Sequence, residues 1–94
     1  MKINYTPTFM RNYKALKKKH FDMKKLSTVI DLLTNQEQDE LTRKYKDHAL
    51  KGNRKNDREL HITSDWLLVY RIEHDMLELI LLATGSHDQV FRNT

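Results

Sequence analysis

Cysteine is absent from this 94-residue chain, which excludes disulfides and thiolate metal sites and fits a reducing compartment. Proline occurs once and glycine twice, as Gly52 and Gly85. With so few glycines there is no phosphate-cradling loop, which argues against nucleotide-driven chemistry. No apolar run is long enough to cross a bilayer, and the opening MKINYTPTFM lacks the apolar stretch of a signal peptide. The chain therefore reads as cytoplasmic. Its length allows one domain with a single modest core.

Charge is plentiful and unevenly placed. Lys and Arg total 17 against 13 acidic residues, a net +4 that many ordinary soluble proteins share. The distribution says more than the sum. Arg11, Lys14, Lys17, Lys18, Lys19, Lys24 and Lys25 crowd around the lone acid Asp22, whereas the following TNQEQDE is acidic. A basic patch beside an acidic loop suits a polyanion partner on one face, although a solvated helix face produces the same pattern.

Local patterns divide the chain into elements. Ile3 and Tyr5 alternate with polar neighbours as a short opening strand. Thr6 and Pro7 form a helix start, with Phe9, Tyr13, Leu16 and His20 on one face. After a connection at Lys18 to Phe21, Asp22 caps a second helix whose apolar face is Met23, Leu26, Ile30 and Leu33. Asn35 and the acidic stretch end it, and Tyr45 to Asn56 reads as one long irregular segment. Such a loop in a small domain is often functional. Arg58 to Thr63, Trp66 to Ile72 and Leu77 to Ala83 read as three strands joined by polar turns. Gly85 breaks the last, and His87 to Phe91 form a helical turn. The predicted architecture is α+β: β-α-α, then an antiparallel meander and a short C-terminal helix.

The chemistry-bearing residues cluster in that meander. His61 and Asp65 flank one predicted turn, His87 follows the next strand, and His48 lies in the loop leading into the first. Cleavage of RNA by its own 2′-hydroxyl needs a base, an acid for the 5′-oxygen and positive charge around the phosphate. Histidine as a residue type can serve in either proton transfer near neutral pH. Asp65 can orient an imidazole or act as base, and Lys51, Arg54 and Lys55 supply charge. Phe91, Trp66 or Tyr45 can stack on an unpaired base, while Trp66 and Phe91 equally suit the core. Three histidines and an aspartate also suit zinc, but no HxH or HExxH pair prearranges two ligands, so neither metal nor cofactor is expected. A non-catalytic RNA-binding or protein-interaction domain with structural histidines is the competing class. His20 and His74 read as structural or solvated.

Three blocks in order, YKDHALKG, RELHITSDWLLVY and TGSHDQVF, resemble those of the YafQ-type toxins in the RelE/ParE superfamily of bacterial toxin–antitoxin systems. The resemblance covers most of the chain, so residues 1–94 are expected to form one toxin domain. It implies a small RelE-like, microbial-ribonuclease-like fold, with two helices on a twisted, mostly antiparallel sheet. It also implies a ribosome-dependent endoribonuclease that cuts mRNA in the 30S A site and is neutralised by a cognate antitoxin. The family's functional histidines fall on His48, His61 and His87, its aspartate on Asp65, its C-terminal aromatic on Phe91, and Trp66 matches the aromatic after the aspartate. On this reading His87 is the general acid, Asp65 or His48 the base, and His61 a phosphate or orienting group, with acid and base exchangeable. Lys14, Lys17, Lys18, Lys24 and Lys25 would face ribosomal RNA. Where the family often carries aromatics, this chain has Arg54 and Asp57, which puts substrate stacking near the loop in question. The ParE-like gyrase poisons lack the histidine and aspartate set, which argues against gyrase as target.

Overall fold

Thr6 begins the first helix as its sequence implies. Its hydroxyl accepts the Phe9 N–H at 3.2 Å, Pro7 occupies the first turn, and α1 runs Pro7–Lys18. The same hydroxyl donates to the Leu81 carbonyl at 2.8 Å, tying the helix start to the sheet. Asp22 caps α2, Met23–Thr34, by accepting the Lys24 N–H. These details come from a computed structural model, which describes residues 1–91.

The sheet has five strands: β1 Lys2–Tyr5, β2 His48–Ala49, β3 Arg58–Thr63, β4 Trp66–Glu73 and β5 Glu78–Gly85. Their order is β1-β5-β4-β3-β2, with β1 parallel to β5 and every other pair antiparallel. The α+β architecture with its meander is thus the one expected. Leu60, Ile62, Trp66, Leu68, Tyr70, Leu79 and Leu81 form a core with Phe9, Leu16, Leu26, Val29 and Leu33 of the two helices. By strand alternation Glu59, His61, Leu67 and Val69 turn to the opposite face. α4, His87–Phe91, rests on β4 and β5.

Three expectations need correction. The acidic stretch is not a loop: it carries a further helix, α3, Gln38–Tyr45. Only Leu41 of α3 is fully buried, so apolar periodicity had almost nothing to report. Its charges favour a helix instead, with Asp39 and Glu40 in the first turn and Arg43 and Lys44 in the last. Second, His20 does not continue the apolar face of α1. It sits exposed just past the helix at φ 66°, where its N–H bonds the Lys17 carbonyl while the Phe21 N–H bonds that of Leu16. That pairing is a Schellman stop. Third, Trp66 is core rather than substrate contact. It is 3% exposed, its Nε1 donates to Thr84 Oγ1 at 2.9 Å, and Phe21 packs edge-on against its ring.

Between α3 and β2 lies a buried polar knot. Asp47 accepts hydrogen bonds from Arg58 Nε at 2.8 Å and from the Tyr70 hydroxyl. Burial, reinforced by the Asp47 carboxylate, pushes the Tyr70 phenol well above its ordinary pKa. Burial is the largest single influence on the Arg58 charge and works against it, but the hydrogen bond and charge attraction to Asp47, with a further contribution from Tyr70, together outweigh it and raise that pKa too. A phenol whose pKa is raised on folding contributes stability that is complete below its unfolded pKa and lost as pH climbs toward the folded one. Stability should therefore decline above about pH 10, the ordinary tyrosine value. In Tyr70→Phe that decline should be shallower, read as urea midpoints at pH 8 and pH 11. Equal slopes in both proteins would remove Tyr70 as the cause. Among the described residues, no helix is long and apolar enough to cross a membrane.

Candidate active site

The open face of the sheet begins with a carboxylate between two imidazoles. β2 pairs with β3 so that His48 stands opposite Glu59, and strand alternation puts His61 on the face of Glu59. Glu59 Oε1 lies 3.2 Å from His61 Nε2 and 3.7 Å from His48 Nε2, with the Glu59 side chain only 8% exposed. The two rings stack with centroids 6.3 Å apart. His48 Nδ1 is 2.7 Å from the Lys46 carbonyl. A carbonyl only accepts, so Nδ1 carries the proton of this bond.

Next to this row opens a cleft of about 370 Å³, lined by His61, Asp65, His87, Ser64, Ser86 and Asp88 over a floor of Leu67. Asp65 is supplied by the Ser64–Asp65 turn that joins β3 to β4, where the register shifts between His61 and Thr63. Such an irregularity re-aims side chains at a strand end. The structure thus brings His61, Asp65 and His87 to one cavity, with His48 standing behind His61 across Glu59.

His87 opens α4, and the residues before it explain its position. The Ser86 N–H bonds Gln89 Oε1 at 2.9 Å and the Gln89 N–H bonds Ser86 Oγ at 3.2 Å, a reciprocal cap. Gly85 has φ +147°, and a Cβ there would meet Gln89 Oε1 at 2.7 Å, so this cap requires glycine. One turn on, the Phe91 ring lies 4.9 Å from that of His87.

The loop cations differ in their freedom. Lys51 and Lys55 are exposed at either end of the tight turn Gly52–Arg54. Arg54 is engaged: its Nε donates to Asp57 Oδ2 at 3.2 Å and its guanidinium lies 5.4 Å from the Phe91 centroid. Arg71 of β4 donates to Asp57 Oδ1 at 2.7 Å, and that bond raises the Arg71 pKa above its ordinary value. Lys14, Lys17, Lys18, Lys24 and Lys25 are all exposed, but they belong to the helical layer across the sheet from His61. They are therefore not part of the cleft.

Sequence reasoning overlooked Glu59, Asp57 and the Ser86–Gln89 cap. The first had a signal in the i, i+2 spacing of Glu59 and His61 on a strand. Among the described residues, no group of three or more His, Asp or Glu is gathered closely enough to hold a metal ion.

Comparison with known proteins agrees over nearly the whole chain. The family described as "Bacterial toxin of type II toxin-antitoxin system, YafQ" matches residues 1–92. The mRNA interferase toxin YafQ of Escherichia coli K12 is 35% identical over 89 residues, 95% of this chain and 94% of that protein. Among solved structures, a metal-bound toxin from Helicobacter pylori superposes with TM-score 0.87 at 40% identity, covering 97% of this chain and 99% of its own. YafQ in the E. coli DinJ–YafQ toxin–antitoxin complex gives 0.84 at 35% identity, covering 95% and 94%. With that extent of match, the chain belongs to the YafQ family of bacterial toxins of type II toxin–antitoxin systems.

Proposed function

We propose that this chain is an mRNA interferase, an endoribonuclease that cuts mRNA in the ribosomal A site, and that a cognate antitoxin holds it in check. The observation that carries the reading is the single cleft lined by His61, Asp65 and His87 beside the His48–Glu59–His61 row. The relatives named as an mRNA interferase and as the toxin of a toxin–antitoxin complex support the same activity and partner.

In the proposed reaction Asp65 takes the proton from the 2′-hydroxyl, which attacks the adjacent phosphorus. The bond from phosphorus to the 5′-oxygen breaks as His87 gives that oxygen a proton. The products are a 2′,3′-cyclic phosphate and a 5′-hydroxyl, and no oxidant or cofactor is consumed. Asp65 is preferred as base because it shares the cleft with His87, whereas His48 stands outside the lining. His61, oriented by Glu59, contacts the phosphate, and Lys51 and Lys55 offset charge that develops there. Phe91 offers a ring for a base of the mRNA. Lys14, Lys17, Lys18, Lys24 and Lys25 form a second, separate surface for ribosomal RNA, with salt-dependent affinity.

Two proton carriers and nearby cationic side chains suffice for this chemistry, so cleavage is metal-independent on our reading. The test is primer extension on a translated reporter mRNA after induced expression, paired with an untranslated copy. Cuts in register with codons should appear only in the translated copy. In a purified translation system they should persist with 1,10-phenanthroline, which removes transition metals while sparing ribosomal Mg²⁺. Growth arrest without cuts would instead establish an inhibitor that acts by binding, and cuts abolished by the chelator would establish a metal-dependent nuclease.

A further inference from the structure

We infer that Arg54, locked in place by the buried Asp57, is a positioning residue that holds α4, and with it His87, against the cleft. The inference rests on the reading of His87 as an acid of the reaction. α4 has five residues, far too few to be helical without outside support. Its first end is tied by the Ser86–Gln89 cap. At its other end Phe91 lies under the Arg54 guanidinium, 5.4 Å from ring centroid to Cζ, within the range of a cation–π contact.

What makes Arg54 a fixed rather than a wandering cation is Asp57. That side chain is 5% exposed and bridges two guanidiniums, taking Arg54 Nε on Oδ2 and Arg71 Nε on Oδ1. The Asp57 N–H also bonds the Arg54 carbonyl at 2.9 Å, and the Asp57 carbonyl accepts the Leu50 N–H at 2.9 Å. A continuous path therefore runs from Arg71, in the central strand β4, through Asp57 and Arg54 to Phe91 and then His87. A lysine at position 54 could carry the charge but not the planar contact with both Asp57 and a ring.

The test uses the full chain with three variants: Arg54→Met, Arg54→Lys and Asp57→Asn. In the free protein, the 4.9 Å approach of the Phe91 ring should give the imidazole NMR signals of His87 a ring-current shift. Arg54→Met should collapse that shift and lower single-turnover cleavage of ribosome-bound mRNA by on the order of tenfold to a hundredfold, with KM changed less than about twofold. Arg54→Lys should recover part of both, and Asp57→Asn should follow Arg54→Met. If Asp57→Asn misfolds, Arg54→Met decides alone, because Arg54 is partly exposed and its apolar stem is kept. An unmoved His87 signal in Arg54→Met overturns the positioning role, as does a lost signal with unchanged cleavage. If the signals respond but the wild-type protein cuts no mRNA, the contact stands and the nuclease reading fails.

Discussion

His87→Ala should reduce mRNA cleavage by about a hundredfold to ten-thousandfold, the range for removing a positioned proton donor. The loss should fall on the chemical step. His87 is exposed at the start of a short terminal helix, so its removal takes little from the core and the melting temperature should barely move. Binding to the ribosome should persist, because the lysines of the helical hairpin are remote from the cleft. The pH–rate profile is the sharper reading. An acid must hold its proton to act, so deprotonation of that acid makes the alkaline limb of the bell, and this limb should vanish in His87→Ala. His74→Ala is the matched control, since His74 lies at the β4–β5 turn, where it pairs with Glu78 at 3.2 Å. It should cut mRNA as the wild type does. A variant lacking His87 that keeps both rate and profile would take that residue out of the reaction.

How far this was legible depended on how each residue carries its information. Local grammar reported well: Thr6 before Pro7, Asp22 before α2, and the apolar alternation of β3 gave elements close to those observed. His87 and Phe91, four apart beyond a glycine, gave the terminal helix directly. Tertiary pairings were silent. Nothing near Asp57 in the sequence announces Arg71, 14 positions away. The apolar strand that Trp66 opens leaned toward the core without deciding it, and its burial together with the bond to Thr84, 18 positions on, places it there. α3 was hidden for a different reason: a helix anchored by one leucine offers no periodicity, and its acidic first turn resembles a loop. The site itself was half legible. Its histidines and Asp65 stand out by type, whereas Glu59 carries only the weak signal of its i, i+2 spacing with His61, and its burial between His48 and His61 is what marks it.

Asp47→Ala should cost about 3 kcal/mol of stability, the scale for removing the acceptor from a buried charged hydrogen-bond pair. For a domain of this length that is a fall in Tm of roughly 12 to 24 °C. The reasoning is that two partners lose their acceptor at once. Tyr70 is fully buried, so its hydroxyl would be left without a partner where water does not reach. Arg58, about one-third exposed, can turn toward solvent and recover part of its loss, which keeps the cost from being larger. Asp47→Asn keeps an acceptor for Tyr70 while removing the charge opposite Arg58, so it should fall between wild type and Asp47→Ala. Calorimetric melts of the three proteins at neutral pH provide the check, and a fall below about 4 °C in Asp47→Ala would mean the knot contributes little. The same substitution reaches the site. β2 is two residues long and pairs with β3 at His48–Glu59 and Ala49–Arg58, continued only by the Leu50 N–H bond to the Asp57 carbonyl. Asp47 grips Arg58 from the residue just before His48, so loosening that grip frees the strand that sets His48 beside Glu59. Well below its lowered Tm, Asp47→Ala should still cleave, but more slowly, whereas His87→Ala should keep its far larger deficit at every temperature.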